Sequence, residues 1–169
     1  MKRLTVLLLG MLASSSVRAA VPPDSAEVRL GVTQIGSALG NDTDPKVQVF
    51  LTVRKPTQCE LSRPEYWGAD LNKPATVVTK LLVTVGGDTV SVPYGAYGDL
   101  SEPRTISVAC RDSSFTITIR GSDAAGSYTA KLLVAGLEVR TRRVESNEFP
   151  DAVWEETRYS FFGPRDEMR

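Results

Sequence analysis

The sequence contains no histidine, and this absence excludes several kinds of catalytic and metal site. Histidine is the usual general base near neutral pH, the central member of Ser-His-Asp triads and a common ligand of zinc and copper. We therefore expect no nucleophile activated by histidine, no metal site and no bound cofactor.

The sequence also lacks an excess of charge of either sign. It has 20 Lys and Arg residues against 20 Asp and Glu residues, and 17 against 20 once residues 1–19 are set aside. A mildly acidic domain without a polybasic segment has no long-range attraction to nucleic acid or to anionic lipid. The balance of charge favours a partner that is neither of these.

The one long hydrophobic run lies at the N-terminus, over residues 4–12, after a basic start. Val17-Arg18-Ala19 then fits the small-residue cleavage pattern of a secretory signal peptide, and the run is too short for a permanent membrane anchor. We predict a cleaved signal peptide over 1–19, a single domain over 20–162 and a flexible tail over 163–169. These boundaries place the protein in the periplasm of a bacterium or outside the cell.

Cysteine is scarce, with Cys59 and Cys110 as the two examples. Their separation excludes a Cys-x-x-Cys redox motif, and an even count in an exported chain favours pairing. We predict one Cys59–Cys110 disulfide, which would close a loop of roughly 50 residues and stabilise the fold by about 4 kcal/mol.

No segment shows the 3.6-residue apolar period of a helix over three turns, whereas alternating apolar and polar residues recur along the chain. About nine short strands separated by Gly, Asp and Ser turns are typical of an antiparallel β-sandwich, Ig-like or jelly-roll-like, with a barrel as the alternative. The first predicted strand, 26–35, has Val28, Leu30 and Val32 on its buried face. The regular stretch 107–144 is predicted to be the scaffold.

Two irregular segments, 56–74 and 93–100, carry loop aromatics that could grip a ligand or a partner. The candidate binding residues are Tyr66, Trp67, Tyr94 and Tyr97. The alternative for Trp67 is a lid over the core, as a buried tryptophan forms in other sandwiches.

A cluster of charged residues near the end of the domain adds Arg140 and Arg142 to the candidates. They could form part of a polar recognition face for another protein, or lie on a solvated face of the sheet.

Together these features favour a non-catalytic exported binding protein of the bacterial cell envelope, such as an inhibitor or immunity-type protein that binds a protein partner. The alternative is a carbohydrate- or small-ligand-binding module that uses the loop aromatics. A carboxylate-dependent hydrolase ranks last, because it needs two facing carboxylates that the sequence does not identify. The loop carboxylates available for that role are Glu65, Asp70, Asp99, Glu102 and Asp123.

Overall fold

Ten strands, one short helix and one 3₁₀ turn make up the part of the chain that the computed structural model describes, residues 24–39, 46–62, 66–69, 73–123, 126–149 and 152–160. The predicted signal peptide (1–19) and tail (163–169) lie outside these residues. The strands are β1 Asp24–Glu27, β2 Gly31–Ala38, β3 Lys46–Arg54, β4 Val77–Val85, β5 Asp88–Thr89, β6 Pro103–Arg111, β7 Ser114–Gly121, β8 Tyr128–Ala135, β9 Glu138–Ser146 and β10 Val153–Arg158. Helix α1 is Gln58–Leu61, and the 3₁₀ turn is Tyr94–Ala96.

The strands form two antiparallel sheets. The larger sheet has the order β1-β6-β7-β8-β9-β10 and the smaller has the order β2-β3-β4-β5. The described strands do not join into a closed barrel. The all-β prediction is therefore confirmed, and the predicted scaffold over 107–144 lies within the consecutive strands β6 to β9 of the larger sheet.

Buried residues from both sheets form one hydrophobic core. In the smaller sheet β3 contributes Val47, Val49, Leu51 and Val53, all on the face that alternation predicts. In the larger sheet β8 contributes Tyr128 and the apolar residues that follow it at every second position. The Tyr128 ring packs directly against Gly121. A Cβ atom at position 121 would lie 2.4 Å from the Tyr128 Cε1 atom, so only glycine leaves room for the ring.

The first predicted strand is in fact two strands. Val28 does pack against the core, but the buried face was assigned wrongly beyond it. The chain leaves the larger sheet after β1 and enters the smaller sheet at Gly31, whose φ of +96° suits glycine. This turn shifts the alternation by one residue, so that Leu30 and Val32 are exposed while Thr33 and Ile35 are buried. The sequence pattern alone could not show a change of sheet within an unbroken run.

The hairpin turn between β4 and β5 contains Gly86 and Gly87, a pair of residues typical of tight hairpin turns. Both Gly86 and Gly87 have positive φ, 60° and 100°, as a type I′ turn requires. Strand β5 is only two residues long, and Ser91 then pairs with the start of β9 through its backbone amide, which donates to the Leu137 carbonyl over 2.7 Å. The chain has thereby crossed to the larger sheet before it reaches the 3₁₀ turn.

The predicted Cys59–Cys110 disulfide is absent, because both thiols are free. Cys59 lies in α1, just beyond the C-terminal end of β3. Cys110 is hydrogen-bonded to Ser37, which pairs with Val47 at the opposite end of that strand. The nine residues of β3 span about 25 Å at the usual strand rise, whereas a disulfide needs Cα atoms within about 7 Å.

None of the helices in the described segments is long and apolar enough to cross a membrane.

Candidate functional site

The segment between β5 and β6 carries Tyr94 and Tyr97 around the 3₁₀ turn. Their rings meet edge to face, with centroids 5.4 Å apart and planes at 73°. The Tyr94 hydroxyl donates to the Gly98 carbonyl over 3.3 Å, and a Cβ at Gly98 would overlap the Tyr94 ring. Tyr94 stays 53% exposed, while Tyr97 is half-buried against the core.

Arg142 lies directly beneath this segment, on the inner face of β9, and only 2% of it is exposed. Its guanidinium donates to the Gly95 carbonyl over 2.6 Å and to Asp99 Oδ2 over 2.8 Å. It also lies 3.5 Å from Glu155 on β10. One buried cation therefore fixes the 3₁₀ turn and the last strand to the same point of the sheet.

The Arg142 cluster is incompletely satisfied. Among the described residues, Asp99 Oδ1, Arg142 Nε and the Tyr159 hydroxyl are buried without a hydrogen-bond partner. Burial raises the pKa of Tyr159, against the opposing effect of the Arg142 charge. Because both Arg142 terminal nitrogens already face oxygen atoms, this residue acts as an internal anchor and not as an exposed recognition group.

Arg140 does not join Arg142, although the two are separated by one residue. The pairing of β8 with β9 shifts between Leu133 and Val134, and this β-bulge places Arg140 on the exposed side. There it forms an ion pair with Glu138 at 2.8 Å. Strict alternation predicts a shared face for the two arginines, and the bulge removes it.

Trp67 and the 3₁₀ segment are tied together by their backbones. The Trp67 amide donates to the Asp99 carbonyl over 2.9 Å, and the Ser101 amide and hydroxyl both donate to the Trp67 carbonyl. Trp67 is half-buried and packs against the core, as the lid interpretation predicts, and its neighbour Tyr66 is also half-buried. The two predicted loops therefore do meet at one place on the molecule.

Trp67 also stacks on Trp154, a residue that the sequence did not single out. The ring centroids lie 5.3 Å apart with planes at 12°. Trp154 lies at a shift in the pairing of β10 with β9 and is 39% exposed. Close to it, Val153 is 40% exposed and Phe149, in the turn before β10, is 67% exposed.

We call Trp67, Phe149, Val153 and Trp154 the aromatic edge. The last three lie within six residues of sequence on the β9–β10 hairpin, and among the described strands β10 is at one edge of the larger sheet. A run of aromatic and β-branched residues in a final strand was the available sequence signal, but alternation could not show which of its side chains lie outside.

The carboxylates considered for hydrolysis do not form a facing pair among the described residues. Asp99 contacts Arg142, Glu102 accepts from the Ala75 amide over 3.0 Å, and Asp123 pairs with Arg104. Glu65 and Asp70 lie outside the described residues. No group of three potential metal ligands occurs in the described segments.

Comparison with known proteins found no relative: no protein-family model matches the chain, and no curated protein or solved structure is significantly similar to it.

Proposed function

We propose that this protein is a non-catalytic binding protein of the bacterial cell envelope, of the inhibitor or immunity type, that contacts a protein partner through the aromatic edge. The proposal of export rests on the N-terminal sequence. The proposal of binding rests on a single structural observation, the concentration of exposed large apolar side chains on the β9–β10 hairpin.

Most monomeric domains expose apolar side chains singly, and a contiguous apolar patch bordered by charges is typical of a protein interface. Phe149, Val153 and Trp154 are exposed within six residues of the chain, and Glu156 and Arg158 follow them on the exposed side of β10. We propose that the three apolar side chains form such a patch. Trp and Phe are enriched at the centres of interfaces and charged residues at their rims.

The position of the patch on an edge strand indicates the form of the partner. Within the described residues β10 is hydrogen-bonded to β9 alone, so its other backbone edge can accept a strand. We infer that the partner presents an extended segment that pairs with β10 and packs an apolar side chain against Trp154.

We also propose that the two sheets pack face to face as a β-sandwich, because their buried residues share one core. Apart from β1, which lies beside β6, neighbouring strands follow chain order in each sheet. This order does not support the interleaved strand order of Ig-like and jelly-roll sandwiches.

A photo-cross-linking residue at position 154 tests the protein interface. We expect it to label one envelope protein, and we expect unmodified protein to compete. The same reagent at Leu137, exposed at the β8–β9 turn on the opposite end of the sheet, is the matched control. The envelope protein that is cross-linked, once purified, should bind the wild-type protein stoichiometrically. Its affinity should be about tenfold lower or more for Trp154→Ala, and should change by less than about twofold for Leu137→Ala. Equal labelling from both positions, or unchanged affinity of Trp154→Ala, would contradict the proposal.

A carbohydrate partner is the second candidate, favoured by the near-parallel Trp67–Trp154 stack with Trp154 still partly exposed. A sugar ring can pack on such an indole face. Saturable quenching of tryptophan fluorescence by soluble glycans, lost in Trp154→Ala, would favour this candidate over a protein partner.

A further inference from the structure

The outer face of the larger sheet contains a cavity of about 430 Å³ that is lined entirely by polar residues. Small-molecule sites usually enclose roughly 300–1,000 Å³, so the cavity has the size of a site for one small ligand. The cavity shares no residue with the aromatic edge or with the Arg142 cluster. It does border the aromatic edge, because Glu145 pairs with Val153 and the Ser146 hydroxyl accepts from the Phe149 amide. Its lining residues are Arg120, Thr129, Lys131, Glu145, Ser146 and Asn147.

Strand register explains why a depression forms here. Arg120 on β7, Thr129 on β8 and Glu145 on β9 are direct cross-strand neighbours and share one face. Two strand spacings separate Arg120 from Glu145, about 10 Å, and the short Thr129 side chain lies between them. The chain after β9 closes one side, where the Asn147 amide donates to the Ser127 carbonyl over 3.0 Å.

The charges around the cavity leave an excess of positive charge. Glu145 is buried and contacts two cations, Lys131 Nζ at 2.6 Å and Arg143 at 2.6 Å. Burial alone would raise the pKa of Glu145, but the hydrogen bonds and charges of Lys131 and Arg143 hold it below its ordinary value. Arg143 also lies 4.0 Å from Glu156, whose carboxylate pairs with Arg158 as well. Because Arg120 has no ion pair among the described residues, the cations at the cavity still outnumber the carboxylates.

The hydrogen-bonding capacity that remains is mostly that of donors. Thr129 donates its hydroxyl hydrogen to the Asn147 side-chain oxygen, which leaves the Asn147 NH₂ group available. Arg120 adds a guanidinium, and Lys131 retains ammonium hydrogens beyond the one that it donates to Glu145. A ligand that fits these groups carries several acceptor oxygens and a negative charge.

We propose that this cavity binds a small organic carboxylate that also carries hydroxyl groups, of the size of one sugar acid. The carboxylate pairs with the Arg120 guanidinium, which suits planar bidentate contact. The ligand's hydroxyl oxygens accept from Asn147 and Lys131. The site does not depend on the proposed protein contact at the aromatic edge.

Titration of isotope-labelled protein with D-glucuronate, D-glucose and inorganic phosphate, followed by amide NMR shifts, tests this assignment. Glucuronate and glucose share a ring and differ in the carboxylate. We expect saturable shifts at Arg120, Thr129 and Asn147 with glucuronate. Glucose and phosphate should bind at least about tenfold more weakly than glucuronate.

Two exposed arginines of the same sheet provide the matched variants. Arg120→Gln should weaken glucuronate binding about tenfold or more. Arg111→Gln, at the far end of β6 and outside the cavity, should change it less than about twofold. The proposal is overturned by equal binding of glucose and glucuronate, by binding of phosphate alone, by unchanged affinity of Arg120→Gln, or by the absence of saturable shifts.

Discussion

Arg142 shows how one residue can connect parts of the chain that are distant in sequence. A buried guanidinium is costly to desolvate unless it is paired and hydrogen-bonded. Here it has the Gly95 carbonyl, Asp99 and Glu155 around it, so the cost is offset by contacts to the 3₁₀ segment and to β10. We infer that Arg142 fixes the surface that carries the aromatic residues.

Replacement of Arg142 by Met should therefore destabilise the fold strongly. The variant keeps apolar volume but leaves the Gly95 carbonyl and Asp99 without their donor, so we expect the free energy of unfolding to fall by about 3 kcal/mol. Urea denaturation at neutral pH measures the change. Arg142→Lys should destabilise the fold less than Arg142→Met, because lysine retains the positive charge but lacks the two forked donors of the guanidinium group.

Arg140→Met is the control for this prediction. Arg140 is exposed and, among the described residues, forms an ion pair only with Glu138. Its replacement should therefore change the unfolding free energy by less than about 0.5 kcal/mol. Equal effects at the two positions would show that Arg142 is not the internal anchor.

At the scale of elements, α1 shows local sequence determining local structure. The Thr57 hydroxyl accepts from the Glu60 amide, and the Glu60 carboxylate accepts from the Thr57 amide over 2.7 Å, which completes a capping box. The Arg54 guanidinium at the end of β3 adds two contacts of 2.8 Å to the same carboxylate. We predicted an irregular loop here because four residues are too few to display a helical period.

The capping box predicts a pH dependence of stability. The hydrogen bond from Arg54 has the largest effect on the pKa of Glu60, and the one from the Thr57 amide the next largest. Together they hold this pKa at about 2, below its ordinary value of 4.5. Because the folded pKa is the lower one, the stabilisation is present above pH 4.5 and is lost as the pH falls toward 2. Glu60→Gln should lower stability by about 1 kcal/mol at neutral pH, and this difference should vanish near pH 2.

Chemical denaturation of both proteins between pH 7 and pH 2 measures that difference. Glu138→Gln, which removes a partly exposed ion pair with Arg140, should shift stability by less than about 0.5 kcal/mol at neutral pH. A gap between wild type and Glu60→Gln that stayed constant with pH would refute the assigned role of Glu60.

At the scale of the whole molecule, the two cysteines lie at opposite ends of β3. An even count in an exported chain predicted their pairing, but that argument contains no distance. Only the path of the chain through two sheets shows that α1 and the end of β6 are far apart.

The structure therefore predicts two thiols that differ in reactivity. Cys59 is exposed, whereas Cys110 is half-buried and burial raises the pKa of its thiol. A thiol reagent should modify Cys59 at once and Cys110 roughly tenfold more slowly or only after unfolding, and Cys59→Ser should abolish the fast phase. Isolation of a linked Cys59–Cys110 peptide under non-reducing conditions would contradict the structure.

Local sequence patterns were enough to establish the all-β class, most strand positions, the inward faces of β3 and β8, and the glycine turn between β4 and β5. Each of these follows from residues near one another in the chain, through alternation or backbone freedom. The loops that carry Trp67 and Tyr94 were each predicted as candidate binding regions. Their contact with each other was not predicted, because it depends on tertiary packing.

Features that depend on strand register, or on a change from one sheet to the other, could be seen only in the folded chain. The turn at Gly31 reversed the exposure of Leu30 and Val32, and the bulge in β9 separated Arg140 from Arg142. Strand pairing also brought Trp154 onto Trp67 and placed Arg120 and Glu145 around one cavity. A shift of one residue moves a side chain to the other face, and the energy that selects the register comes from contacts with strands elsewhere in the chain.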